Sequence, residues 1–179
     1  MTLETGMFLF PTRFEKQNFT GGYCLKMKKF MIIAVAVVFA FVMAGNVFAD
    51  EEALKKECVE KCDAAAKLIK EKGLDAGKAE ISKKDGPFVS ANTYVYLQKM
   101  DGTMEAHPHN PALVGKNLID LKDVNGKEFS KEFIKVAKGA GSGWVDYMWP
   151  KPGEEKPSAK NSYVLKIDDN TFVGAGYYK

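Results

Sequence analysis

Between His107 and Pro150 the chain gathers side chains suited to holding a small polar molecule. His107 and His109 flank a proline, Tyr147 and Trp149 alternate on one run, and Tyr94 and Tyr96 alternate on an earlier one. Imidazole and phenol groups carry directional donors on apolar bodies, so several of them converging shape a concave site with a few placed polar groups. His107 has two readings: a donor to a ligand oxygen in either protonation state, or a structural cap of the turn at Pro108. Tyr94 and Tyr96 likewise either orient a carboxylate while their rings exclude water, or are plain core. Lys160 supplies the positive charge that a carboxylate requires, and Tyr163 beyond it adds a hydroxyl. The sole arginine, Arg13, lies outside the expected domain, which removes the bidentate arginine clamp and leaves lysine, tyrosine, histidine and backbone donors to hold an anion.

Other chemistries fit less well. His107 and His109 with Asp146 would make a metal-dependent enzyme, yet these are the only two histidines and no HExxH-like helix accompanies them. No Gly-x-Ser-x-Gly elbow is present, so nucleophilic catalysis has no scaffold. No cofactor is expected. Cys58 and Cys62 stand one helical turn apart, a spacing at which an ideal helix does not readily close a disulfide. Core packing or pairing between subunits is the expectation for them. The first 49 residues carry five of the 26 basic and two of the 23 acidic groups, leaving 21 of each beyond. A neutral remainder without a basic stripe argues against nucleic acid as a partner.

The elements that must position these residues follow from periodicity. Leu54, Cys58, Cys62, Ala65 and Ile69 share one face of a helix over about 51–72, which Gly73 stops. Residues 74–85 read as a charged, helix-tolerant connection. From Asn92 to Met100 the chain alternates, with Thr93, Val95 and Leu97 facing one way and Tyr94, Tyr96 and Gln98 the other. Asp101-Gly102 turns it into a second strand ending at His107. A loop leads to a helix over about 127–138 bearing Phe129, Phe133 and Val136. A third strand, 144–149, puts Val145, Tyr147 and Trp149 opposite Trp144, Asp146 and Met148, which leaves Trp144 to the core. Residues 150–161 read as a proline-rich loop, and strands over 162–168 and 171–178 complete the chain. Gly174 and Gly176 in the last strand invite a close approach to the backbone. Helices segregated from sequential antiparallel strands define an α+β domain.

Residues 27–49, MKKFMIIAVAVVFAFVMAGNVFA, have the charged start, apolar run and small-residue end of a signal peptide, which places the rest in the periplasm or outside the cell. The competing reading is an uncleaved anchor in the inner membrane. Residues 1–26 fit neither a signal nor a domain, so translation is expected to start at Met27, with 50–179 as the mature domain.

The hairpin ending in His107-Pro108, the segment NPALVGKNLIDLKDVNGKEF, the strand GWVDYMWPKP and the ending SYVLKIDDNTFVGAGYYK resemble the single Cache domains of bacterial sensors. The resemblance covers about 51–178. It implies a PAS-like fold, with a central antiparallel sheet of about five strands, a long N-terminal helix on one face and a ligand pocket on the other. It further implies an exported sensor of a small molecule, most often an organic acid, bound by Tyr94, Tyr96, His107, Tyr147, Trp149, Lys160 and Tyr163 without catalysis. Loops at 110–125 and 150–160 would close over the ligand, and a membrane receptor or kinase would read the change. The alternative is a structural protein that dimerises through the N-terminal helix.

Overall fold

The amphipathic stripe at the start of the domain dictates the first packing event. In the computed structural model, which describes residues 50–179, helix α1 covers residues 50–72. The expectations for the leader and the signal segment lie outside the described residues. Cys58, Cys62, Ala65 and Ile69 are buried along one side of α1, while ion pairs such as Lys61–Glu57 (2.9 Å) lie away from that stripe. Gly73 ends the helix at φ 88°, a left-handed conformation that glycine adopts without strain, and its N–H caps the Ile69 carbonyl.

A second helix, α2 (Leu74–Ile81), follows at once where the sequence suggested a connection. Packing explains it. Ile81 is fully buried, and Gly77 lacks the side chain that would collide with Ile69, so the two helices touch. Among the described residues no helix is long and apolar enough to cross a membrane.

The five strands are β1 (Tyr94–Lys99), β2 (Met104–Ala106), β3 (Ser142–Pro150), β4 (Pro157–Lys166) and β5 (Thr171–Tyr178). They form one antiparallel sheet in the order β2-β1-β5-β4-β3. The α+β architecture therefore stands as the alternation and the resemblance led us to expect. One boundary does not: β4 begins at Pro157, five residues earlier than the proline content suggested, and Pro157 pairs with Pro150 at the far end of the β3–β4 ladder. Proline is tolerated there because it opens one strand and closes an edge strand.

The sheet separates two cores. On one face Val95, Leu97, Val173, Ala175 and Tyr177 pack against the cysteine stripe of α1. Both thiols are buried in the chain's own core, which is the core-packing alternative of the two expected for them. On the other face Tyr94, Tyr96, Tyr147, Val164 and Phe172 meet helix α3 (Phe129–Gly139), whose Phe129 and Phe133 are buried. Burying each ring contributes about 1.5–3 kcal/mol. The loop between β2 and α3 is pinned by Asp123, whose carboxylate accepts N–H groups from Met148, Asn125 and Lys127, each at 2.9 Å.

Candidate ligand-binding site

Strand alternation sets Tyr94 and Tyr96 of β1 and Tyr147 and Trp149 of β3 on the α3 side of the sheet. With His107, just past β2, they line one cavity walled by Phe129, Phe133 and Met104. Its volume is ≈ 20 Å³, room for about one water molecule. Tyr147 stacks on Phe129 with ring centroids 5.0 Å apart and meets Phe133 edge-on at 5.2 Å. The rings lie low because β5 is bare beneath them. The Tyr96 ring occupies the space of a Gly174 side chain, and the Ser162 hydroxyl with the Lys160 stem occupies that of Gly176.

His107 fulfils its structural role with one nitrogen only. Nδ1 accepts the N–H of Asn110 at 3.0 Å and of His109 at 3.3 Å, capping the turn after Pro108. An accepting Nδ1 requires the neutral tautomer with hydrogen on Nε2, which leaves that N–H as a donor. Burial, the largest cause, lowers the His107 pKa to about 3, in keeping with a neutral ring.

Tyr94 is the partition of the site. Its ring touches His107 (5.1 Å) and His109 (4.9 Å), and it also lines an outer cavity of ≈ 340 Å³ with Ser90, Thr93, Lys151, Glu154 and Tyr178. Tyr178 donates its single hydroxyl hydrogen to the Pro150 carbonyl at 2.7 Å, so the 3.4 Å contact between the two phenols has Tyr94 as donor. This short hydrogen-bond chain latches the partition to the end of β3. Burial raises the pKa of both hydroxyls, that of Tyr178 to about 12, and both stay protonated.

Lys160 lies beneath this latch. Because β4 starts early, Lys160 sits inside the strand opposite Tyr147 and Tyr178, on the cavity side with Ser162 and Val164. Its Nζ is buried with no hydrogen-bond partner among the described residues, 3.7 Å from the Tyr94 ring centroid and 5.0 Å from that of Tyr178. Burial pushes its pKa well below the ordinary lysine value. The Tyr96 hydroxyl is a second buried polar group without a partner, whereas Tyr147 pairs with Ser162 at 3.2 Å.

Tyr163 does not join them. Three residues from Lys160 in the same strand, it must face the other way, and it packs on Trp144 at 5.3 Å over the α1 core. Asp146 is likewise on the far side of β3, exposed and paired with Lys179 at 2.8 Å, so the metal-site alternative has its parts on opposite faces. Among the described residues no group of three or more His, Cys, Asp or Glu is placed to hold a metal ion. Sequence reasoning missed Tyr178 and Ser162. Both share parity with residues it had singled out, Tyr178 with Gly174 and Gly176, and Ser162 with Lys160.

The family model for single Cache domain 2 matches residues 25–179. The chain belongs to that family. Among solved structures this Cache domain is similar to a Cache chemosensory domain that recognises carboxylic acid, at 28% identity and TM-score 0.55, covering 90% of this chain and 99% of that one. It also resembles the periplasmic sensor domain of a chemotaxis protein, at 29% identity and TM-score 0.56 over 73% of this chain and 93% of the other. A methyl-accepting chemotaxis protein from Vibrio parahaemolyticus gives 27% identity and TM-score 0.60, covering 71% and 89%. Among curated proteins, the methyl-accepting chemotaxis protein McpP of Pseudomonas putida is 33% identical over 86 residues, 48% of this chain. The match spans 16% of the length of that relative.

Proposed function

We propose that this Cache domain is an exported sensor that binds a small organic acid between the sheet and α3, and that a separate partner reads its occupancy. One observation carries the reading: a buried lysine amine without a partner, caged by tyrosines, beside a histidine whose free N–H is available. A carboxylate would satisfy all three kinds of group, accepting from Lys160, His107 Nε2 and the Tyr96 hydroxyl. Similarity to a domain that recognises carboxylic acid supports the same ligand class.

The cavity between Tyr94, Tyr96 and Tyr147 admits no organic acid as it stands, so binding selects a state in which the latch of Tyr94, Tyr178 and Pro150 has opened. The loops that accommodate this are 107–128, and 151–156 in place of the longer 150–160 segment expected from the sequence. A relay then runs through Ser90 and Thr93 at the rim of the outer cavity. Both hydrogen-bond to Glu57 on α1, at 2.6 and 3.0 Å. A receptor, a kinase or a second copy contacting the outer face of α1 would sense that shift.

Thermal-shift measurements on the purified protein with small carboxylates, amino acids, amines and nucleobases test the reading. Ligand at a hundredfold excess over its dissociation constant stabilises by about 2.7 kcal/mol. Carboxylates should raise Tm, and His107→Ala and Tyr147→Phe should abolish or weaken the effect. Shifts from amines or nucleobases alone, or unchanged shifts in both variants, would refute it.

A further inference from the structure

Lys160 carries a consequence beyond ligand class, one that rests on the carboxylate reading. Its stem crosses the bare backbone at Gly176, and the amine ends against the faces of two phenol rings with no acceptor among the described residues in reach. The titratable groups around it come from every neighbouring element: Tyr94 and Tyr96 on β1, Tyr147 on β3, Tyr178 on β5, His107 and His109 after β2, and Cys58 on α1 across the sheet. Burial keeps the phenols and the thiol in their neutral forms and lowers both histidines.

The charged groups stand further out. Glu154 lines the outer cavity, where its charge acts on Tyr178, and Lys151 lies 5.9 Å from the Tyr178 ring centroid. Glu57 is paired with Lys61, and Lys84 and Asp85 act on His109 from opposite signs. Among the described residues, therefore, no carboxylate touches the amine. An ammonium stripped of water and of counter-charge gives up its proton, and the shift at Lys160 has that direction. A carboxylate in the same place would find neutral donors in His107 and Tyr96 but no counter-charge.

We infer that the site takes up a monocarboxylate and one proton together, the proton resting on Lys160, so that the bound state is an ion pair and the empty state is uncharged. In balance, the free carboxylate and a proton from solvent add to the lysine amine to give carboxylate against ammonium, and no bond to carbon forms or breaks. The two uptakes are reciprocal: acid raises affinity for the ligand, and ligand raises affinity for the proton. The site thus responds to the product of carboxylate and proton concentrations, which is to say to the undissociated acid.

Isothermal titration of the purified protein with acetate, propionate, lactate and butyrate, in buffers of differing ionisation enthalpy at pH 8 and pH 9, tests this. The apparent enthalpy should vary with buffer ionisation enthalpy by close to one proton taken up per ligand at both pH values. The dissociation constant should weaken about tenfold per pH unit across that interval. Binding without proton uptake would overturn the inference and leave the carboxylate site standing. Uptake present at pH 8 and gone by pH 9 would assign the proton to an imidazole and overturn it equally. Absence of binding by all four acids would overturn the carboxylate reading and the inference together.

Discussion

Replacing Lys160 with methionine should make the protein more stable while removing carboxylate binding. Methionine matches the length of the stem and carries no amine, so it keeps the packing over Gly176 and relieves a buried polar group of its unmet hydrogen bonds. Relief of that kind is worth about 1–3 kcal/mol in protein cores. A pH-dependent part adds to it. Unfolded, the lysine holds its proton up to about pH 10.4; folded, burial lowers its pKa well below the ordinary lysine value. Between those two values the unfolded chain binds one proton more, so wild-type stability rises with pH and the advantage of Lys160→Met shrinks. The slope approaches about 1.4 kcal/mol per pH unit where only the unfolded lysine is protonated and flattens near the unfolded value, so the gap should narrow by up to about 2–3 kcal/mol between pH 8 and pH 10. Urea unfolding of both proteins at pH 8, 9 and 10 measures the gap directly, since other titrating groups are common to the two. A gap that does not change with pH would show that the folded lysine keeps its proton. A variant less stable than wild type at pH 8 would show that the tyrosine cage holds an ammonium by cation–π attraction.

Three further outcomes follow from the same geometry. Gly174→Ala drives a methyl into the Tyr96 ring, so it should destabilise by about 1–3 kcal/mol in urea unfolding, the reverse of the usual gain from removing a strand glycine. His107, with its pKa lowered from 6.5 to about 3, stays neutral while the unfolded ring charges. Stability contributed by the neutral ring should be lost as pH falls from about 6.5 towards 3, and His107→Gln should flatten that loss; a histidine proton signal titrating near 6.5 would contradict it. Cys58 and Cys62, buried and with pKa values raised by burial, should escape thiol alkylation in the native protein and react in denaturant, as read by peptide mass spectrometry.

Much of this arrangement is legible in the sequence because strands keep strict parity. Alternation alone puts Tyr94 with Tyr96, and Tyr147 with Trp149, and the stripe from Cys58 to Ile69 declares the buried side of α1. Parity also shows why Lys160 and Tyr163 cannot serve one cavity once both belong to a single strand. Reading prolines 150, 152 and 157 as one loop hid that strand's start. What the sequence does not carry is the register between distant segments. Tyr178 reaches the site only because β5 lies between β1 and β4, and nothing local to Tyr178 announces that neighbour. The helix α2 was hidden for a related reason, its short charged run being held by burial of Ile81 and by contact with Ile69.

The strand order has a bearing on how this protein comes to be made. The first strand pairs along its whole length with the last, Tyr94 opposite Gly176 and Lys99 opposite Thr171. Until the C-terminal residues emerge, β1 has only the three-residue β2 beside it and α1 lacks most of the face it packs on, and such long-range closure is intrinsically slow. During that interval both thiols of α1, which the finished core buries, are exposed. Docking of the last strand ends the exposure, so in an oxidising compartment the state of the cysteine pair would record whether folding outran oxidation.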